Sequence, residues 1–369
     1  MPRSLQPDRH LFVATLGLCL IGAVMVFSAS AMTAREQFGN GYIFLLRQFV
    51  YIALGIGGMF WLMNTDYRKL RQPRVIFTGV AVTLVLLLAV FFLDRSHATH
   101  RWLRLGPFSM QPSELAKLVV ILYLAWFLDI RRAPQSFGVN NLRHTLLPAL
   151  GTVMLMVALI VVEPDMGTAC MILFIAATML FVSGLSVTYI ASAGLAVLPV
   201  IYLLIVRVPY RYQRVVAFFS PGSDPQGHGF QLLQSLIAVG SGGFSGVGLM
   251  ESRQKLFYLP EAHTDFIFAV ICEEMGYIGA VVVLALFAIY GWRGFVAAMK
   301  APDEFGRLLA LGITTMVVGQ ALVNLSVVLG LLPTKGIPLP FISYGGSSLL
   351  GMLLATGVLL NVSQHADET

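Results

Sequence analysis

Residues 256–279 read LFYLPEAHTDFIFAVICEEMGYIG. The string begins as loop and ends as an apolar helix able to enter a membrane. Asp265 stands at the joint, and Glu273 and Glu274 follow about two turns later. With helix from Thr264, a rise of about 1.5 Å per residue sets Glu273 roughly 12 Å deeper than Asp265. A charge at the centre of a membrane helix costs at least about 2.5 kcal/mol, so an acid there is a functional candidate. A plainer role competes. Thr264 or Asp265 can cap the helix, accepting from first-turn amides that lack a partner. The two roles are compatible.

The rest of the chain repeats this apolar character. Of 369 residues, 57% are hydrophobic and 11% charged, whereas a soluble surface needs roughly 25–35% charge. Apolar runs of about 17 residues or more recur, each long enough to cross a hydrocarbon core of about 30 Å. The expected fold is therefore all-α, a polytopic membrane protein, since a β-barrel shows short alternating segments instead. Ten spans are predicted, near 11–32, 43–63, 75–93, 113–130, 145–162, 168–184, 187–206, 264–290, 307–330 and 344–361. They form one domain, 1–369, with a large loop, 207–263, between the seventh and eighth. The first run follows Arg3 and Arg9 and is too long for a signal peptide, so an uncleaved helix is expected. Cys19, Cys170 and Cys272 each lie in an apolar run. They are expected to be buried small hydrophobes.

Charge sets the orientation. With the N-terminus inside, short inner segments hold twelve Lys and Arg against six outside, a bias that places both termini in the cytoplasm. The net charge of +6 suits contact with anionic membrane lipids. Nucleic acid is not an expected partner, because no basic stripe lies outside the membrane frame.

The unusual residues then gather on the outer face. QPSELAK (111–117) places Glu114 and Lys117 three apart, on one helix face, where they can pair. EPDMGT (163–168) puts Asp165 at a turn. The long loop carries Arg211 and Arg214 among aromatics, then the glycine-rich GSGGFSGVG (240–248). Glycine-rich backbone can cradle a phosphate, or simply form a flexible surface loop. LPTKGIPLPFISYGGSSLL (332–350) breaks the backbone with three prolines around Lys335. Such breaks at membrane depth line a cavity or pack in protein. The inner face offers no comparable cluster. No Ser-His-Asp order, metal spacing or ATP motif is present, so the energy must arrive with the substrate. Carboxylates and cations at an outer membrane surface suit an anionic, lipid-borne substrate.

These strings, in this order, resemble the SEDS family of bacterial cell-wall proteins over nearly the whole chain. YRYQRVVAFF, YLPEAHTDF and LPTKG are more similar to its division branch than to its elongation branch. The resemblance implies an enzyme of the inner membrane, a peptidoglycan glycosyltransferase that polymerises lipid II at the division septum. It implies Asp265 as the catalytic residue. It implies Arg101, Glu114, Lys117, Arg211, Arg214 and Lys335 as substrate- or pyrophosphate-binding residues. Asp165, His263 and Ser343 fall at cavity or structural positions. Implied partners are a class B penicillin-binding protein, which is a transpeptidase, and other divisome membrane proteins. No cofactor is required by the motifs, although a divalent cation, Mg or Mn, would help neutralise a pyrophosphate.

The chemistry follows from such a substrate. The acceptor 4-hydroxyl attacks the anomeric carbon opposite undecaprenyl pyrophosphate, inverting the linkage. Asp265 takes the acceptor proton, and cations stabilise charge on the leaving group. A helix N-terminus would make Asp265 a weak base, unless burial or Glu114 raises its pKa. Two other classes remain open at this point: a lipid II flippase, and a non-catalytic scaffold for a transpeptidase. Glu273 and Glu274 point about 100° apart around the helix and are expected to form structural pairs.

Overall fold

The computed structural model describes residues 6–93, 101–105, 108–132, 138–220, 227, 229–255 and 259–366. Residues 256–258, which open the quoted stretch, lie outside these, as do 221–226 and the side chain of Arg211.

All ten predicted spans are helices. They are α1 (Arg9–Phe38), α2 (Ile43–Met63), α3 (Pro73–Leu93), α4 (Pro112–Arg132), α5 (Leu147–Val162), α6 (Met166–Val182) and α7 (Val187–Val206), then α10 (Ile267–Met299), α11 (Glu304–Val328) and α12 (Gly346–His365). Seven of them are long and apolar enough to cross a membrane by length and composition alone. The caps match the residues. Asp8 Oδ1 accepts from His10 N and Leu11 N at the start of α1, and Gly39, at φ 73°, closes its end. Asp303 caps α11 through Gly306 N. α10 runs past the predicted end at 290 because nothing between there and the Lys300–Pro302 turn breaks the helix.

α12 packs along α2, and α10 packs along both α11 and α1. Peripheral helices present large apolar side chains outward, such as Trp61, Phe92 and Leu195. A surface of that kind needs lipid, not water, around it. A short hairpin, β1 (Leu103–Leu105) and β2 (Phe108–Met110), pairs Leu103 with Met110 ahead of α4.

The long segment 207–263 is more ordered than a surface loop. It contains α8 (Pro209–Phe219) and α9 (Phe230–Ser241). α9 lies against α10 and α11, and its Ser235 Oγ donates to Val328 O at 2.8 Å. The glycine-rich run packs into the fold. It locks into a break in α10 at Gly276, whose φ is 64° and ψ −159°. That break frees carbonyls and amides that a continuous helix would use internally. Val247 N donates to Glu273 O and Gly248 N to Glu274 O, while Tyr277 N returns to Gly243 O. The approach is close enough that a Cβ on Gly246 would stand 2.1 Å from Glu274 O.

The two acids flanking this break are structural pairs, as their angular separation predicts. Glu273 accepts from Ser252 Oγ at 2.5 Å and Arg253 N at 3.0 Å. Glu274 pairs with Lys255 Nζ at 2.7 Å and accepts from Ser28 Oγ on α1.

A charged network sits at the end of the bundle where α1 begins. Arg68 pairs with Asp303 at 3.3 Å, Arg71 with Asp129 at 2.6 Å, and Glu304 with both Arg307 and Arg132. Each of its acids is paired with at least one arginine, and most of the pairs join different elements. At the same end Arg293 pairs with Asp8 at 2.5 Å, and Asp8 N donates to Ser363 Oγ. The two ends of the bundle's first and last helices thus share one face, as an even number of spans requires.

Candidate active site

At the opposite end, the helices open around a cavity of about 1460 Å³. Arg101, Asp165, Arg214, His263, Asp265 and Lys335 all line it. The topology explains the gathering: α4, α6, α10 and α12 begin at this end, and α5, α7 and α11 finish there.

Asp265 does not cap a helix. α10 starts two residues later, with Phe266 at the N-cap position. The three preceding carbonyls are drawn elsewhere. His263 O accepts from Tyr344 N at 3.0 Å, Thr264 O from Ser343 Oγ at 2.6 Å and Asp265 O from Asn324 Nδ2 at 2.7 Å. Those bonds hold the segment off the helix and aim the half-buried Asp265 side chain into the cavity. Burial, then the neighbouring Glu261, pushes its carboxyl up to about 7, against the pull of Arg214 and Arg101. The acids that raise it are Glu261 and, more weakly, Asp165; Glu114 is not among them.

The cations stand around it on separate elements. Arg101 Nε donates to Glu163 O at 3.1 Å, and its Nη2 to Pro164 O. Arg214, on α8, donates to Thr334 O at 3.4 Å. Lys335 Nζ lies 3.9 Å from Cys170 Sγ. Cys170 is exposed on the cavity wall, contrary to the expectation that all three thiols are buried. The first turn of α6 simply presents it to the opening.

Asp165 caps α6 through Thr168 N at 3.2 Å and accepts from Gln111 Nε2 and Ser113 Oγ at 2.9 and 3.1 Å. It ties α4 to α6 with its lone pairs occupied, which favours a structural role. Ser343 is likewise occupied, accepting from Leu339 N at 2.8 Å while it donates to Thr264 O. The His263 ring packs between Phe44 and Tyr344, at 5.1 and 5.8 Å.

Glu114 and Lys117, expected among the substrate-binding residues, are buried. They form the predicted pair, at 2.9 Å. But Lys117 is 2% exposed and Glu114 8%, and neither lines the large cavity. They border a separate space of about 20 Å³ beneath its floor. Three-residue spacing placed them together; only the packing of residues 336–338 above them shows that they are covered.

Several site residues escaped the sequence reading. Asn324 and Gln320, amides one turn apart on α11, hold the proline-rich segment; two buried amides within an apolar span were the available signal. Gly336 abuts the carboxylate, since a Cβ there would stand 2.9 Å from Asp265 Oδ2. Arg47 adds a further cation to the lining. Among the described residues no group of three or more His, Cys, Asp or Glu is placed to hold a metal ion.

Apolar helices that enclose a charged cavity near one end of the bundle define a multipass membrane protein. The chain matches the FtsW–RodA–SpoVE family of cell cycle proteins over residues 9–368, and it belongs to that family. It is 41% identical over 365 residues to stage V sporulation protein E of Bacillus subtilis, covering 99% of each chain. It is 42% identical over 363 residues to the probable peptidoglycan glycosyltransferase FtsW of Geobacter metallireducens, covering 98% of this chain and 96% of that one. Among solved structures it superposes on a chain from a peptidoglycan synthase complex that coordinates polymerization and crosslinking. The TM-score there is 0.79 at 32% identity, covering 99% of this chain and 100% of the other. Thermus thermophilus RodA follows at a TM-score of 0.70 and 29% identity, covering 98% of both.

Proposed function

We propose that this protein is a peptidoglycan glycosyltransferase that polymerises lipid II, with Asp265 as general base. The observation that carries the reading is the Asp265 carboxyl itself. It projects into a charged cavity, and no hydrogen bond to its side-chain oxygens is formed among the described residues. Family membership and the names of the relatives support the same activity.

In this reading the acceptor hydroxyl sits within reach of Asp265, which removes its proton as the oxygen attacks. The new glycosidic bond forms on the face opposite the leaving group. The bond from the anomeric carbon to pyrophosphate breaks, and its electron pair leaves with the phosphate. Arg101, Arg214 and Lys335 stabilise that charge from three sides of the cavity. A carboxyl near neutrality is matched to this work: ionised enough to accept, basic enough to pull. A divalent cation on the pyrophosphate would add charge neutralisation; no step here depends on it.

The cavity opens on the outer face in this scheme, with both termini in the cytoplasm. Placement at the division septum rests on the likeness to FtsW, and a class B penicillin-binding protein as partner rests on the likeness to the synthase complex.

The test is reconstitution with the cognate transpeptidase and lipid II. Polymer forms with the wild type, and Asp265→Ala lowers the rate about 10²–10⁴-fold in protein that still binds its partner. Transbilayer movement of lipid II without polymer, insensitive to Asp265→Ala, would favour a flippase and end the proposal. Lys335→Ala and Arg101→Ala lower turnover without loss of assembly; wild-type rates in both would remove the cation assignment.

A further inference from the structure

The proline-rich segment 333–340 crosses the cavity floor without regular structure, so its carbonyls need partners from elsewhere. Two amides on α11 supply them. Asn324 Nδ2 donates at once to Asp265 O and Ile337 O, each at 2.7 Å. One turn earlier, Gln320 Nε2 donates to Pro338 O at 2.9 Å, and its Oε1 accepts from Lys117 Nζ at 2.5 Å. Lys117 in turn pairs with Glu114 at 2.9 Å. A continuous set of contacts thus runs from the buried ion pair, through two amides and a short stretch of backbone, to the residue that bears the reacting carboxylate. Gly336, immediately before the two clamped carbonyls, lies against that carboxylate.

We propose that Gln320 and Asn324 are positioning residues for glycosyl transfer, and that the Glu114–Lys117 pair acts through them instead of touching substrate. The inference rests on the reading of Asp265 as the base. Its physical content is geometric. Asn324 binds the backbone of Asp265 to the backbone beside Gly336, so the carboxylate keeps one height above the floor. Gln320 ties the same floor to Lys117, whose charge Glu114 balances. Removing any link loosens the floor and moves the base relative to the acceptor oxygen.

The experiment uses the full chain with its transpeptidase partner in proteoliposomes and lipid II as substrate. Asn324→Leu is expected to lower kcat about ten- to a hundredfold, with KM within about twofold of wild type. Asn324→Ser, which keeps one donor, recovers part of the loss. Hydrogen exchange quickens in residues 259–266 and 334–343 of Asn324→Leu and not in the inner-face network. In a double-mutant cycle, Lys117→Met with Gln320→Leu is no slower than the worse single change, because both break one path.

Three outcomes overturn the proposal: wild-type kcat in Asn324→Leu, a rise in KM alone, or effects of Lys117→Met and Gln320→Leu that multiply. Should Asn324→Leu fail to assemble, the Lys117–Gln320 cycle and Asn324→Ser decide alone. Asp265→Asn in the same assay isolates the underlying reading. Full polymerisation by that variant removes Asp265 as base, whereas the exchange result reports on the clamp itself.

Discussion

Asp265 shows how a few neighbours set the chemistry of one side chain. Burial and Glu261 raise its carboxyl to about 7, and Arg214 and Arg101 hold it from rising further. A general base works only when deprotonated, so polymerisation should climb with pH through an acidic limb centred near 7. Arg214→Gln removes a cation that favours the ionised form, so the limb should move to higher pH; an unmoved limb in a pH–rate profile would show that another group titrates. Glu163 offers a second residue-scale prediction. It is fully buried, and both carboxyl oxygens lack a hydrogen-bond partner. Burial and Asp165 raise it from 4.5 to about 8, with Arg101 opposing. Between those values the folded protein keeps a proton that the unfolded chain has released. Stability therefore falls as pH rises through that window and levels off above it. Glu163→Gln cannot titrate, so the drop in melting temperature from about pH 5 to 8.5 should shrink in that variant. Thermal unfolding in detergent across that range measures it.

At the scale of elements, α10 and the glycine-rich run depend on each other. The helix breaks at Gly276, and residues 243–248 fill the broken hydrogen bonds. Gly246 has φ 81° and almost no room for a side chain. Ala there meets both a left-handed backbone, costing about 1–2 kcal/mol, and contact with the Glu274 carbonyl. Gly246→Ala should lower the melting temperature clearly. Gly240→Ala, inside α9 with open space around it, should be neutral or stabilise by up to about 1 kcal/mol. Equal effects of the two would mean that the interlock contributes nothing specific. The sequence supplied the glycines but not their use. A run of small residues suits a phosphate loop, a flexible linker or a close backbone approach equally well. Only the break in α10, distant in sequence, selects the third.

For the whole molecule, charge is divided by face. The end where α1 begins and α12 finishes carries ion pairs between elements; the other end carries the cavity, with an acid and several cations facing one space. The first arrangement joins helix ends, and the second is, in the proposed function, where a charged substrate binds. Orientation can be read with native thiols. Cys170 is exposed in the cavity, whereas Cys19 and Cys272 are buried. A membrane-impermeant maleimide added to intact spheroplasts should label Cys170 alone if the cavity faces outward. Labelling only after the inner face is exposed would reverse the proposed topology.

The ten helices were legible because apolar runs of spanning length, interrupted by charge and proline, leave the backbone few alternatives in lipid. The motif residues Asp265, Arg101, Arg214 and Lys335 were legible as well, since charge near a membrane span needs a reason. Other matters depended on contacts between residues far apart in the chain. Three carbonyls before α10 are taken by Asn324, Ser343 and Tyr344, which turns Asp265 from a possible cap into a free carboxyl aimed at the cavity. The fold of 336–338 over Lys117 covers the Glu114 pair. Local sequence thus determined which segments enter the membrane, because that choice is made by transfer energy along the chain. Tertiary structure decided what each charge does there, because that depends on which distant backbone and side chains occupy its hydrogen bonds.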